Sequence, residues 1–117
     1  MQSKDLLEKL EVTRDSLEVF QALAEVGDAK KLAEFVSQKM PVDERYDIDS
    51  PMWRDYMELR RYMEPDQADR MPLIYGIGYS ANRYLKEGKS DPIKAVMGHV
   101  PRLIQDLNLL KCKINAE

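Results

Sequence analysis

All six tyrosines of the chain fall between Tyr46 and Tyr84, and basic residues are interleaved with them. Arg54 follows Trp53, Arg60 and Arg61 lie between Tyr56 and Tyr62, and Arg83 and Lys86 follow Tyr75 and Tyr79. A helix returns to one face every three or four residues, so Tyr75, Tyr79, Arg83 and Lys86 share a stripe if this segment is helical. Aromatic rings stack on bases and guanidinium groups hold phosphates. Arg60, Arg61, Arg83 and Lys86 are therefore candidate contacts for single-stranded nucleic acid. Tyr, Trp and Arg are also the usual anchors of protein interfaces. The plainest reading is that the rings sit at a core boundary with their hydroxyls outward. Between the two ligand readings, the interrupting carboxylates Asp55, Glu58 and Glu87 favour a protein over a polyanion.

Other spacings suggest chemistry and fail on inspection. Gly76-Ile77-Gly78-Tyr79-Ser80-Ala81 fits the dinucleotide pattern, in which glycines let the backbone approach a pyrophosphate. That pattern also needs a second parallel strand and an acid about twenty residues on. Asp91 comes too soon, and a helix cap follows it, so no cofactor is expected. Asp43, Asp47 and Asp49 do not start a calcium loop, because the glycine such a loop needs is missing. His99 is the single histidine and Cys112 the single cysteine, too few for a four-ligand zinc site. On a straight helix they lie about 20 Å apart, too far for a nucleophile and its base. Residues 22–36 loosely fit a helix-turn-helix around Gly27, but the second helix offers only Lys30 and Lys31 to bases. No nucleophile, base or metal set converges, so no catalytic residue is assigned and an enzyme is not expected.

The composition agrees. Hydrophobic residues make up 44% and charged residues 33%, which suits a folded chain rather than a disordered one. A net charge of −3 argues against general nucleic-acid coating. The charge is uneven: seven basic and twelve acidic residues lie up to Ser50, against eleven and nine from Pro51 on. A lone cysteine excludes an internal disulfide and fits a reducing compartment. The first residues place acids where a signal peptide needs an apolar run. The longest apolar run, residues 71–75, cannot span a bilayer. The expectation is a cytoplasmic protein with no membrane contact.

The elements that must position these residues are helices. Ile93, Val96, Val100, Leu103, Leu107, Leu110 and Ile114 recur at alternating spacings of three and four, an unbroken a/d stripe. Ser90-Asp91-Pro92 starts that helix, and Pro101 should kink or split it by leaving the Met97 carbonyl without its partner. Ser50-Pro51 is a second cap-plus-proline start, and Pro72 and Gly88 bracket another helix. Asp28 caps a short helix that Pro41 ends, and residues 41–50 read as a loop. The first helix runs from Ser3 or Lys4 to about Val26, with Gly27 as its stop. It carries two stripes. Leu6, Leu10, Thr13, Leu17, Phe20 and Ala24 form one, and Val12, Val19, Leu23 and Val26 form another on a separate face. A two-faced helix is central in its bundle or shared with another chain, so the second stripe is the candidate face for a homodimer or partner.

Two short stretches, Ala-Asp-Arg-Met-Pro-Leu-Ile-Tyr-Gly-Ile-Gly at 68–78 and Tyr-Leu-Lys-Glu-Gly-Lys at 84–89, resemble part of the small helical subunit of some CRISPR effector complexes. The resemblance contains no catalytic motif. It implies a helical subunit lying along a guide RNA complex, which is the alternative to a protein-binding role. The sequence thus predicts one all-α domain over residues 1–117, a bundle of about five helices with a long last helix. It also predicts a binding protein acting as adaptor, inhibitor or regulatory subunit. Val12, Val19, Leu23, Tyr75, Tyr79 and Arg83 are its candidate partner contacts.

Overall fold

The structure, a computed structural model, describes residues 3–42 and 49–116. It is an all-α bundle whose helices are α1 (Ser3–Val26), α2 (Ala29–Lys39), α3 (Pro51–Arg60), α4 (Pro65–Ala68), α5 (Met71–Glu87) and α6 (Pro92–Asn115). Five are substantial and α4 is a single turn. The predicted loop at 41–50 lies largely outside the described residues, as do Tyr46 and the candidate calcium ligands Asp43 and Asp47.

The starts follow the sequence signals. Asp28 accepts from the Lys31 amide at 3.0 Å, the Ser50 hydroxyl from the Trp53 amide at 3.2 Å, and Asp91 from the Lys94 amide at 3.1 Å. Each satisfies an amide that has no partner within its helix. Gly27 (φ 87°) and Gly88 (φ 66°) stop α1 and α5 in the left-handed conformation that a Cβ disfavours. The polar turn expected at 65–70 holds α4 instead, because Glu64 and Gln67 form a capping box around Pro65. Arg60 donates to the Ala68 carbonyl at the end of that turn.

α1 and α6 form the axis of the bundle. α3 and α2 also pack on α1, and α5 packs on α2 and α6. The first stripe of α1 is buried throughout, and so is the α6 stripe from Val96 to Ile114, with Ile93 half-buried at its start. α6 runs unbroken through Pro101. Pro101 and Met97 both lie on the exposed side, so the carbonyl freed by the proline can be solvated rather than forcing a break. Across the axis, Lys111 pairs with Glu11 at 2.7 Å, and Arg14 donates to Asn108 at 3.0 Å. No described helix is long and apolar enough to cross a membrane.

Candidate functional site

The second stripe of α1 stays outside the core. Val12 is 58% exposed, Val19 40% and Val26 78%, while Leu23 is half-buried and packs against the core. These valines follow one another at seven-residue intervals, about 10.5 Å along the axis. Val12 is the centre of the face, where three open depressions meet. One runs toward the start of α1, between Leu7, Glu8 and Glu11. The second opens toward α3 at Met52 and Asp55, and the third continues to Val19 and Phe35 beside Lys39. The result is an apolar line with polar edges along one helix.

Carboxylates dominate those edges. Glu8 and Asp15 are exposed, and neither has an ion-pair partner among the described residues. Asp55 faces Val12 from α3. Burial pushes its carboxyl above the usual range, Lys9 opposes that, and Glu58 adds to it. Glu11 is held below the usual carboxylate range, first by its hydrogen bond to Lys111. Two cations also touch the face: Lys4 near its start, and Lys39, which lies 5.7 Å over the Phe35 ring.

The tyrosine and arginine stripe forms an ordered ladder on α5. Tyr75 and Tyr79 stack with ring centres 6.1 Å apart and planes 16° from parallel. Arg83 lies 5.8 Å over the Tyr79 ring and donates to Glu87 at 3.1 Å. Both rings are half-buried, and Lys86 is exposed. Arg60 and Arg61 sit elsewhere. Arg60 is turned onto the Ala68 carbonyl and lies 3.9 Å from the Met71 sulfur at the start of α5. Arg83 is twelve residues further along that helix, about 18 Å away. Arg61 is exposed where α3 ends. The basic residues grouped by sequence are therefore two separate sets.

No protein-family model, curated protein or solved structure matches the chain.

The other predicted candidates have structural surroundings. Gly76 lies in α5 facing the His99 ring, with room for a Cβ at 4.0 Å from that ring. Ser80 is buried, and its carbonyl accepts from the Ser90 hydroxyl at 2.7 Å. Among the described residues, no three His, Cys, Asp or Glu side chains gather as a metal site would need. Cys112 is exposed and unpaired. Lys30 and Lys31, from the helix-turn-helix comparison, are exposed at the start of α2.

One polar cluster was missed by sequence reasoning. Asp106 is only 4% exposed and accepts from Arg70 at 3.2 Å. Its carboxyl is pushed up by burial, and Arg70 pulls the other way. Tyr56 is fully buried, and its hydroxyl has no hydrogen-bond partner. Burial, then the nearby Asp106 charge, pushes its phenol up to about 12. The spacing did hold a clue. Asp106 follows Leu103 by three residues and precedes Leu110 by four, so it had to face the core.

Proposed function

We propose that this chain is a small cytosolic helical binding protein that acts through contact with another protein, as adaptor, inhibitor or regulatory subunit. The exposure of Val12, Val19 and Val26 carries this reading. They form a line on a helix whose other stripe is fully used in the core. Scattered exposed apolar residues need no explanation, but these recur on one line of the helix, which is what supports reading them as an interaction surface. Binding is favoured over catalysis because the paired buried polar groups Asp106 and Ser80 join helices to one another: Asp106 on α6 is tied to Arg70 before α5, and Ser80 on α5 to Ser90 before α6. The phenol of Tyr56 is shifted up, away from the range of a useful base. The lone, exposed Cys112 fits a reducing compartment.

The nucleic-acid alternative rests on the Tyr75–Tyr79 stack. It has less support, because a phosphate reaching Arg83 must compete with Glu87, and Arg60 is occupied elsewhere. Affinity purification of the tagged full chain separates the two readings when done with and without nuclease and with two variants. A protein partner that survives nuclease and is lost with Val19→Glu supports the protein reading. Retention that needs RNA or DNA, and is lost in Arg83→Ala with a flatter salt dependence, overturns it.

A further inference from the structure

We infer that the occupant of the α1 face is an amphipathic helix of another protein whose apolar stripe is flanked by lysine and arginine. This deepens the protein-binding reading and rests on it. The geometry selects a helix. Val12, Val19 and Val26 repeat every seven residues on one α-helix, and a second helix crossing at about 20° can follow such a line over successive heptads. An extended segment presents side chains to one face every two residues, about 6.6 Å apart, and falls out of step with the valines.

The charges select the flanks. Glu8 and Asp15 stand on one edge of Val12 without an ion-pair partner among the described residues, and Asp55 stands on the other edge. Lys39 lines two of the depressions at Val12, where its ammonium lies over the Phe35 ring, and Lys4 lies at the far end, so the carboxylates Glu8, Glu11, Asp15 and Asp55 outnumber the cations on this face. A docked helix carrying cations beside its apolar stripe would pair these carboxylates while covering Val12 and Val19. A phosphate backbone is repelled by the same edge. A second copy of this chain is also disfavoured, since it adds another net charge of −3 and, in an antiparallel two-fold pair, lays acidic edge against acidic edge.

The test uses the full chain with isotope-labelled valine methyls, titrated with three synthetic 18-residue peptides. One has leucine at heptad a and d positions flanked by Lys and Arg. The second has the same leucines flanked by Glu. The third scrambles the basic peptide so that its stripe is lost. The expected result is saturable movement of the Val12 and Val19 methyl signals with the basic helix, at least tenfold tighter than with either control. Glu8→Lys with Asp15→Lys should weaken it at least tenfold while circular dichroism stays unchanged. Equal binding of the basic and acidic helices would overturn the charge inference and leave the docking reading standing. Movement of these signals with concentration alone, without peptide, would make a second copy the occupant and overturn the inference. If no peptide moves Val12 or Val19, and their signals are also independent of concentration, the inference and the docking reading fail together.

Discussion

Arg70 meets Asp106 at 3.2 Å, tying the residue just before α5 to the buried side of α6. Asp106 lies between Leu103 and Leu110 on the core side of its helix, so its charge has little water around it. Removing one partner of a buried pair leaves the other uncompensated. Arg70 is a quarter exposed, so Arg70→Met should cost about 3 kcal/mol, near the low end for such pairs. The direction of the Asp106 shift fixes the pH dependence. A carboxyl raised above its unfolded value favours the fold while protonated, and that stability is lost as pH rises through the folded value. The Arg70→Met deficit should therefore be full at neutral pH and shrink as the pH is lowered and Asp106 takes up a proton. Adding Asp106→Asn should recover most of it. Urea denaturation of the single and double variants from pH 4 to 7 measures both effects.

Tyr56 is wholly buried beside this pair with its hydroxyl unpartnered. An unsatisfied buried hydroxyl costs about 1–3 kcal/mol in desolvation, so Tyr56→Phe should leave stability unchanged or raise it by about 1 kcal/mol. The alkaline limb gives a second readout. The phenol titrates near 10 when unfolded and at about 12 when folded, so its contribution is whole below pH 10 and is lost between 10 and 12. Two units correspond to about 3 kcal/mol. Tyr56→Phe should remove that part of the alkaline loss, about half of which has accrued by pH 11, measured by thermal unfolding at pH 9 and 11.

The joint between α5 and α6 rests on one unusual residue. Ser90 is the single non-glycine residue with positive φ among those described, at 77°, and its hydroxyl donates to the Ser80 carbonyl at 2.7 Å. The left-handed conformation costs an ordinary residue about 1–2 kcal/mol, and the hydrogen bond offsets part of that. Ser90→Gly loses the bond but relieves the strain, so it should be within about 1 kcal/mol of neutral. Ser90→Ala keeps the strain and loses the bond, and should cost about 1–2 kcal/mol. An order reversed in chemical denaturation would mean that relief of the left-handed strain does not outweigh the extra freedom of glycine in the unfolded chain.

Much of this architecture was legible because it is local. Cap-plus-proline signals at Ser50 and Asp91, glycine stops at Gly27 and Gly88, and three-four spacing are properties of short stretches of chain. They placed both stripes of α1 and the buried line of α6. The spacing of α1 named its second stripe as the spare face, but whether that stripe would lie uncovered depends on where α2, α3 and α6 land. The α5 ladder was legible as a stripe for the same local reason. The grouping of Arg60 with Arg83 was not legible, because it depends on how α3 meets the start of α5. Arg70 with Asp106 joins residues thirty-six apart in the chain. No local pattern announces such a pair, although the inward position of Asp106 on its helix did show that a partner was needed.

The two stripes of α1 and the α6 line permit a direct contrast. Leu107 is fully buried on α6, and Leu107→Ala should cost about 2–5 kcal/mol, since the cavity adds to the lost transfer energy. Val19 is 40% exposed on α1, and Val19→Glu puts a carboxylate where water already reaches. It should change stability by no more than about 0.5–1 kcal/mol. Leu17→Glu, two residues earlier but on the buried stripe, places an unpaired charge in the core and should unfold the chain. Circular dichroism and urea midpoints of the three variants check the assignment. A Val19→Glu as damaging as Leu17→Glu would place that face inside the bundle and remove the surface on which the binding proposal stands.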